Sequence, residues 1–541
     1  MNQLKTYILP AISALLIISC KTQQPKIQFE KHTPITVPVV LSKKSELKEP
    51  ELKRWSLLDI QKDSVPGMSV DRAYSELIKN QMGKKVIVAV IDSGVDIEHE
   101  DLKQIIWTNT KEIPANGIDD DKNGYIDDIN GWNYLGDVTK ENLEYQRILN
   151  NKKLVDEATY QRAVTENNTE IAEAPENKSY YENVLNTLKP AHKIISDILK
   201  KENYTIDQVK EINTTDEKVI GAKKTIVRMF FYEMSMPNLK KFLTKKIQEA
   251  NELLDPKKTF TNYRKPLGDN PEDIKDTKYG NNNVMGPDKE EILHGTHVAG
   301  IIGQVRNNNI GSDGVANNVA IMVLRAVPDG DEYDKDIALA IRYAVDNGAK
   351  VINGSFGKAF SPQKKWVFDA IKYAEKKDVL IVHAAGNASK NLDYFDNYPN
   401  DSEDKIKEFA DNLITIGALN FKAGNKMVAT FSNIGKINVD VFAPGVKIYA
   451  TIPDNNYKYL QGTSMASPNV AGVAALIRSY FPKLTASQVK HILMDSGVAI
   501  KDEVMVAGNP KDNRPFDELS KTGKIVNAYN ALLMAEELSK K

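Results

Sequence analysis

Three short segments, far apart in the chain, carry the residue types of nucleophilic acyl transfer. They are Asp92-Ser93-Gly94, His294-Gly295-Thr296-His297-Val298-Ala299-Gly300 and Gly462-Thr463-Ser464-Met465-Ala466-Ser467-Pro468. A serine hydroxyl is a feeble nucleophile while neutral and needs a base within hydrogen-bond reach. An imidazole can take that proton and return it to a leaving group, and a carboxylate can fix the imidazole's tautomer. Taken singly, each segment is ordinary: Asp-Ser-Gly serves as a turn, a lone His as a satisfied polar residue, Gly-Thr-Ser as a helix cap. His294 and His297 also admit a metal reading, but no acidic general base or third ligand stands at the spacing of a helical metalloprotease motif.

A second chemistry is suggested by Asp119-Asp120-Asp121-Lys122-Asn123-Gly124-Tyr125-Ile126-Asp127-Asp128, which packs five carboxylates into ten residues. Asp119, Asp121, Asn123 and Gly124 fall at the first, third, fifth and turn positions of a calcium loop, and Asn130 stands where a bidentate Glu would close it. The expectation is a structural Ca2+ of reduced affinity on Asp119, Asp121, Asn123 and Asp127, against a plain solvated acidic turn. No organic cofactor is called for.

The elements around these residues alternate. Val86 to Ile91 is a continuous, β-branched apolar run, the pattern of a strand covered on both faces, and similar runs recur at Val319–Leu324, Val351-Ile352, Val379–Val382, Leu413–Ala418 and Val439–Phe442. Helical stretches lie between several of them, at Asp334–Asn347 and Pro362–Lys376, and a small-residue helix is expected from Val470 to Phe481. Such alternation needs crossover connections and so a mostly parallel sheet between helical layers, with ligands at the carboxyl ends of strands. Asp92 would emerge at that edge. From about Thr139 to Tyr279 the rhythm breaks: Val184, Leu188, Ala191, Ile195, Ile198 and Leu239, Leu243, Ile247, Ala250, Leu254 follow a helical period, and Thr205 with Gln208 fits a capping box. An inserted helical subdomain is expected there, chiefly a structural decoration, since Pro190 and Pro237 interrupt any long heptad; it also offers a surface for a protein partner.

The 541 residues give room for about two to four domains. With 72 Lys plus Arg against 73 Asp plus Glu the net charge is −1, which disfavours nucleic acid or an acidic membrane as partner. Apolar residues at 41% and charged residues at 27% fit a soluble globular chain. The single cysteine, Cys20, excludes an internal disulfide framework and a thiolate zinc cluster. It closes a signal-like stretch in which Lys5 precedes the apolar run Ile8–Ile18, too short for a membrane span. Ile17-Ile18-Ser19-Cys20 resembles a bacterial lipobox, which implies a lipidated Cys20, a membrane partner through that anchor, and a place in the cell envelope outside the cytoplasm.

Together, and in the order Asp, His, Ser, the three catalytic-type segments resemble the subtilisin-like serine proteases, the subtilases of peptidase family S8. The resemblance runs from about Val86 to Trp132 and from about Gly280 to Ala531. It implies a three-layer α/β/α sandwich and a serine endopeptidase acting on polypeptides, with Ser464 as nucleophile, His294 as base and Asp92 as its orienting acid; His297 is then a bystander. Ala384-Ala385-Gly386-Asn387 resembles the family's oxyanion segment, with Asn387 as the side-chain donor. Ser355-Phe356-Gly357 resembles its substrate-pairing edge, which binds extended peptides through the main chain. Phe356, Ala385 and Gly386 would border a side-chain pocket whose small residues suggest room for a sizeable apolar group. The expected organisation is a signal peptide over 1–19, a lipidated tether over 20–50, a catalytic domain over 51–138 and 280–535, and the helical insertion over 139–279. The competing reading keeps the fold as a catalytically silent envelope scaffold that binds peptides without turnover.

Overall fold

The computed structural model describes residues 27, 29, 32–36, 46–230, 234–257 and 259–540. The expected signal peptide, Cys20 and most of the expected tether lie outside these residues.

Continuous apolar runs build the centre. A nine-stranded sheet has the order β10-β13-β7-β6-β5-β4-β1-β3-β2. The strands are β1 (Val86–Asp92), β2 (Gly131–Asn133), β3 (Val319–Arg325), β4 (Val351–Gly354), β5 (Leu380–Ala384), β6 (Leu413–Leu419), β7 (Val441–Pro444), β10 (Val498–Ala499) and β13 (Lys524–Ile525). Two hairpins, β8 (Ile448–Ile452) with β9 (Asn456–Leu460) and β11 (Glu503–Met505) with β12 (Asn513–Pro515), stand apart from it. Every pairing in the large sheet is parallel except β10 with β13. Strands β3, β5 and β6 are buried along their whole length, which is why they are largely apolar and do not alternate.

Short helices α1 (Glu49–Leu52) and α2 (Val70–Arg72) precede the sheet. Trp55, Leu57 and Met68 between them are buried in the main core, and the Trp55 indole donates to the Val446 carbonyl. The expected tether is partly docked: Phe29 and Ile35 are buried, and Asn530 bonds both the N–H and the C=O of Ile35. Asn530 lies on the last helix, α13 (Ala528–Ser539).

The inserted region holds α3 (Glu144–Asn150), α4 (Glu157–Leu199), α5 (Ile206–Lys210), α6 (Glu217–Met229) and α7 (Met236–Leu254). It has an apolar core of its own, centred on Leu188, Ile195, Ile226, Leu239 and Leu243. Thr205 and Gln208 exchange the two capping-box hydrogen bonds. Pro190 does not interrupt its helix, whereas Pro237 stands at a helix start. Pro190, with Pro175, lies inside the 43-residue α4, and Pro237 opens α7 at its first turn, where its missing N–H would have no partner anyway. At about 1.5 Å per residue α4 spans about 64 Å.

Helices α8 (Leu293–Gly303), α11 (Thr463–Tyr480), α12 (Ala486–Asp495) and α13 cover one face of the sheet, and α9 (Asp334–Asp346) and α10 (Lys364–Lys376) the other. The result is a three-layer α/β/α sandwich. From β3 the chain crosses back over β1 to β4 and then runs outward through β5, β6 and β7, so the strand order switches direction between β1 and β4. A crevice at the carboxyl ends of those two strands follows from that switch. No helix among the described residues is long and apolar enough to cross a membrane.

Candidate active site

Asp92 ends β1 at this crevice, only 1% exposed. Its Oδ1 accepts the Ser93 N–H at 2.8 Å and lies 2.7 Å from Nδ1 of His294; Oδ2 has no partner among the described residues. A carboxylate so poorly solvated gains strongly from a neighbouring imidazolium. His294 is the second residue of α8. The approach depends on Gly295, where a Cβ would come within 2.1 Å of the Gly94 carbonyl and 3.1 Å of Asp92 Oδ1. Burial pulls the His294 pKa down, but the charge and hydrogen bond of Asp92 outweigh it and the value rises above the ordinary imidazole range. His297 is a different case: it is fully buried, its Nε2 is 3.0 Å from the Lys458 carbonyl, and burial lowers its pKa to about 3. With one ring directed to Asp92 and the other to a main-chain carbonyl, the two histidines do not converge on a shared metal.

Ser464 is the second residue of α11, which begins seven positions earlier than the sequence suggests, at Thr463. Its N–H is therefore one of the first-turn donors that lack an intrahelical acceptor. Its hydroxyl donates to the Ser355 carbonyl at 3.1 Å, while the Ser355 hydroxyl donates to the Ser464 carbonyl at 2.9 Å. No hydrogen bond joins Ser464 to His294 in this state; a turn about the Ser464 Cα–Cβ bond would redirect the hydroxyl, and such bonds commonly tighten only with substrate bound.

Asn387 follows β5 on an exposed loop. Its Oδ1 accepts both the N–H and the hydroxyl of Thr463, at 2.8 and 2.9 Å, which fixes the amide and leaves Nδ2 as the outward donor. The Thr463 hydroxyl also accepts the Gly386 N–H at 3.0 Å. Gly386 has φ +98°, and a Cβ there would lie 2.6 Å from Asn433 Nδ2. Asn433 ties the loop from within, donating to the Ala385 carbonyl and accepting from the N–H groups of Ala388 and Lys390. Sequence reading missed Thr463 and Asn433 as positioning residues. Thr463 lay inside a motif already singled out; Asn433 had no spacing or motif signal at all.

Gly357 forms an open edge beside the buried Ser355. Gly357 is exposed and its backbone has no partner among the described residues, while the Phe356 carbonyl is taken by His383 Nε2 at 2.8 Å. Burial lowers His383 to about 4, so its ring is neutral there. Asn397 lies beside the expected side-chain pocket. Its Oδ1 sits 2.8 Å from where a Cβ on Gly357 would be and 3.5 Å from one on Gly386, and its Nδ2 donates to the Ala384 carbonyl at 3.4 Å. A carboxamide thus stands between the two small-residue walls.

In the acidic loop, ligand oxygens of Glu112, Asp119 and Asp121 lie within 4.8 Å of one another. Glu112 was not foreseen, because it lies outside the dense run. Asp127 turns away, accepting the N–H groups of Asn116 and Gly117, and Asn123 Oδ1 accepts the Tyr125 N–H.

The family model described as the subtilase family, Peptidase S8, matches residues 83–516. Subtilisin DY of Bacillus licheniformis is 38% identical over 213 residues, 39% of this chain and 72% of its own length. A thermophilic serine proteinase of Bacillus sp. (strain AK1) is 43% identical over 187 residues, and subtilisin-like protease 1 of Plasmodium falciparum (isolate 3D7) is 32% identical over 287. These two matches cover 34% and 48% of this chain, and 42% and 40% of the relatives. The chain belongs to the subtilase family, and with it to the subtilisin-like serine endopeptidases.

Proposed function

We propose that this protein is a lipid-anchored, extracytoplasmic serine endopeptidase that cleaves polypeptides through an acyl-enzyme on Ser464. The observation that carries the reading is the meeting, at one sheet edge, of the Asp92–His294 pair with the first turn of α11 and the amide of Asn387. In the forward step His294 Nε2 takes the Ser464 proton as Oγ bonds to the scissile carbonyl carbon. The oxyanion forms between Asn387 Nδ2 and the Ser464 N–H. Asp92 holds the ring with Nδ1–H toward itself and stabilises the imidazolium. His294 then protonates the leaving amine as the C–N bond breaks; a water, deprotonated by the same nitrogen, adds to the acyl carbon, and the Ser464 Oγ–C bond breaks as His294 returns that proton to Oγ. Ser355 and Gly357 supply main-chain partners for an extended substrate, whose arrival displaces the Ser464 hydroxyl from the Ser355 carbonyl.

Two further parts of the reading concern the chain around the site. A structural Ca2+ is assigned to the acidic loop, on Asp119 and Asp121 with Glu112, because hard cations take clustered carboxylate oxygens of this kind. The anchor is assigned to Cys20; replacing it with Ala should move the protein from the membrane fraction to the soluble one. The decisive test is a fluorophosphonate probe with a peptide assay: the wild type is labelled and cleaves, and Ser464→Ala does neither. Folded wild-type protein that is neither labelled nor active on any peptide overturns the reading in favour of a silent scaffold.

A further inference from the structure

Beside His294 runs a groove of about 320 Å³, bounded by Ser355–Gly357 on one side and Val327–Gly330 on the other. Besides Asp92, which is paired with His294, three carboxylates line it: Glu291, Asp329 and Glu332. Glu291 is exposed and makes no hydrogen bond or ion pair through its side chain among the described residues. Among the described residues the Asp329 carboxylate has one partner, Lys245 on α7 of the insertion, at 2.6 Å, and the two side chains are 42% and 48% exposed. One helical turn earlier Lys241 pairs with Glu290, so α7 lies along the rim of the groove.

The cations facing this wall are few and committed. Arg325 is buried, and its guanidinium donates to the carbonyls of Ser93, Gly136 and Val138 and to Asn133 Oδ1. No donor of it points to a carboxylate of the groove. Lys358 bonds Glu144 and the Glu332 main-chain carbonyl, leaving the Glu332 carboxyl without a lysine of its own. Burial pushes Glu332 up to about 8, so near neutrality it serves mainly as a polar wall; burial and the neighbouring Asp329 also raise Glu291, which an incoming cation would oppose. The Lys245–Asp329 pair is of the half-exposed kind that contributes little and exchanges readily.

We propose that this groove takes a lysine or arginine side chain of the substrate, held by Glu291 and Asp329, and that Lys245 of the insertion stands in for that side chain in the free protein. The inference rests on the peptidase reading and names the substrate class of the same site. It also gives the insertion a role at the cleft: α7 sets the charge at the groove's rim, and the ammonium it offers must be displaced before the substrate's own can bind.

The test is a set of peptides in which Lys or Met is placed in turn at each of the three positions on either side of the cleaved bond, with kcat/KM measured for each pair. The expected Lys/Met ratio is about tenfold or more at one position, the scale of one charge-assisted contact. In Glu291→Gln/Asp329→Asn that ratio should fall toward one. Lys245→Ala, which frees Asp329, should raise it about two- to fivefold. Both peptides of a pair are measured on one preparation, so a partly unfolded variant cannot mimic a changed ratio. Wild-type protein that cleaves neutral peptides with a ratio near one everywhere, or a ratio that the double substitution leaves unchanged, overturns this inference alone. Wild-type protein that cleaves no peptide overturns the peptidase reading along with it.

Discussion

Thr463→Val is the most incisive perturbation of the oxyanion site, because it keeps the β-branched shape and deletes one oxygen. That oxygen donates to Asn387 Oδ1 at 2.9 Å and accepts the Gly386 N–H at 3.0 Å. Its loss removes one of the two donors that orient the Asn387 amide and leaves the Gly386 N–H unsatisfied beside a fully buried side chain. The two bonds together are worth about 1–3 kcal/mol of stability. Asn387 keeps the Thr463 N–H at 2.8 Å, so its amide should be loosened and not lost. Complete removal of an oxyanion donor costs about 2.7–4 kcal/mol of transition-state stabilisation, a scale established for such donors. A loosened donor should forfeit roughly a third of that, about 0.9–1.3 kcal/mol, or about five- to tenfold in kcat at about 1.4 kcal/mol per decade. KM should stay within about twofold, because the donor faces charge that develops only in the transition state. The assay is a double-mutant cycle with Asn387→Leu. If Thr463 acts through Asn387, adding Thr463→Val to Asn387→Leu should lower kcat by less than about twofold. The same five- to tenfold loss on both backgrounds, about a third of a full donor's worth, would show that Thr463 acts elsewhere.

Other outcomes follow from neighbouring features. Burial lowers and Asp92 more strongly raises the His294 pKa, and the base must be neutral, so kcat/KM should climb with pH through a value above the ordinary imidazole one. Asp92→Asn removes the raising charge and leaves burial, so the acid limb should move to lower pH while kcat drops about 10⁴-fold, the scale known for such triads; an unmoved limb would count against the pair. Calcium at 100 times its Kd should add about 2.7 kcal/mol of stability, seen as a higher Tm that chelation reverses and Asp121→Asn abolishes; a Tm indifferent to calcium removes the metal assignment. Arg264→Met should destabilise the protein by about 3–5 kcal/mol in denaturant melts, because Asp269 and Asp336, both 0% exposed, would lose the guanidinium that bridges them; a change below about 1 kcal/mol would contradict the burial argument.

The sheet was legible because covered strands cannot alternate: β1 and β3 are apolar throughout up to their last residues, Asp92 and Arg325, β6 breaks its apolar run only with Thr415 and Gly417, and their short length and β-branched content separate them from the helices between. The site was legible because its chemistry is concentrated in short segments with rare residue orders. What escaped has a common cause. Asn397, Asn433 and Glu112 act through tertiary proximity, and a carboxamide in a loop looks the same whether it faces water or closes a pocket. Pro190 of α4 escaped for the opposite reason: local propensity argued for a break, and packing of the helix on α6 and α7 through Leu188, Ala191 and Ile195 overrode it.

The insertion is joined to the sheet by two kinds of contact, and their difference bears on what it can do. At its root, Arg264 forks onto Asp269 and Asp336, Lys335 reaches Asp269 at 2.8 Å, and Tyr279 donates to Asp336 at 2.6 Å. Close by, Glu144 takes both Arg147 and Lys358, and the two cations hold its pKa down at about 2 against the pull of burial. These charges are desolvated in a fixed pattern, so any other seating of the root would strand one of them; the network specifies orientation more than it adds stability. At its rim, Lys241 and Lys245 meet Glu290 and Asp329 in water, where such pairs form and break at little cost. A rigid root with an exchangeable rim keeps α7 at a constant height above the groove while letting its lysines yield to a competing cation. That division is what a wall tuning substrate charge requires, and a purely decorative insertion has no need of it.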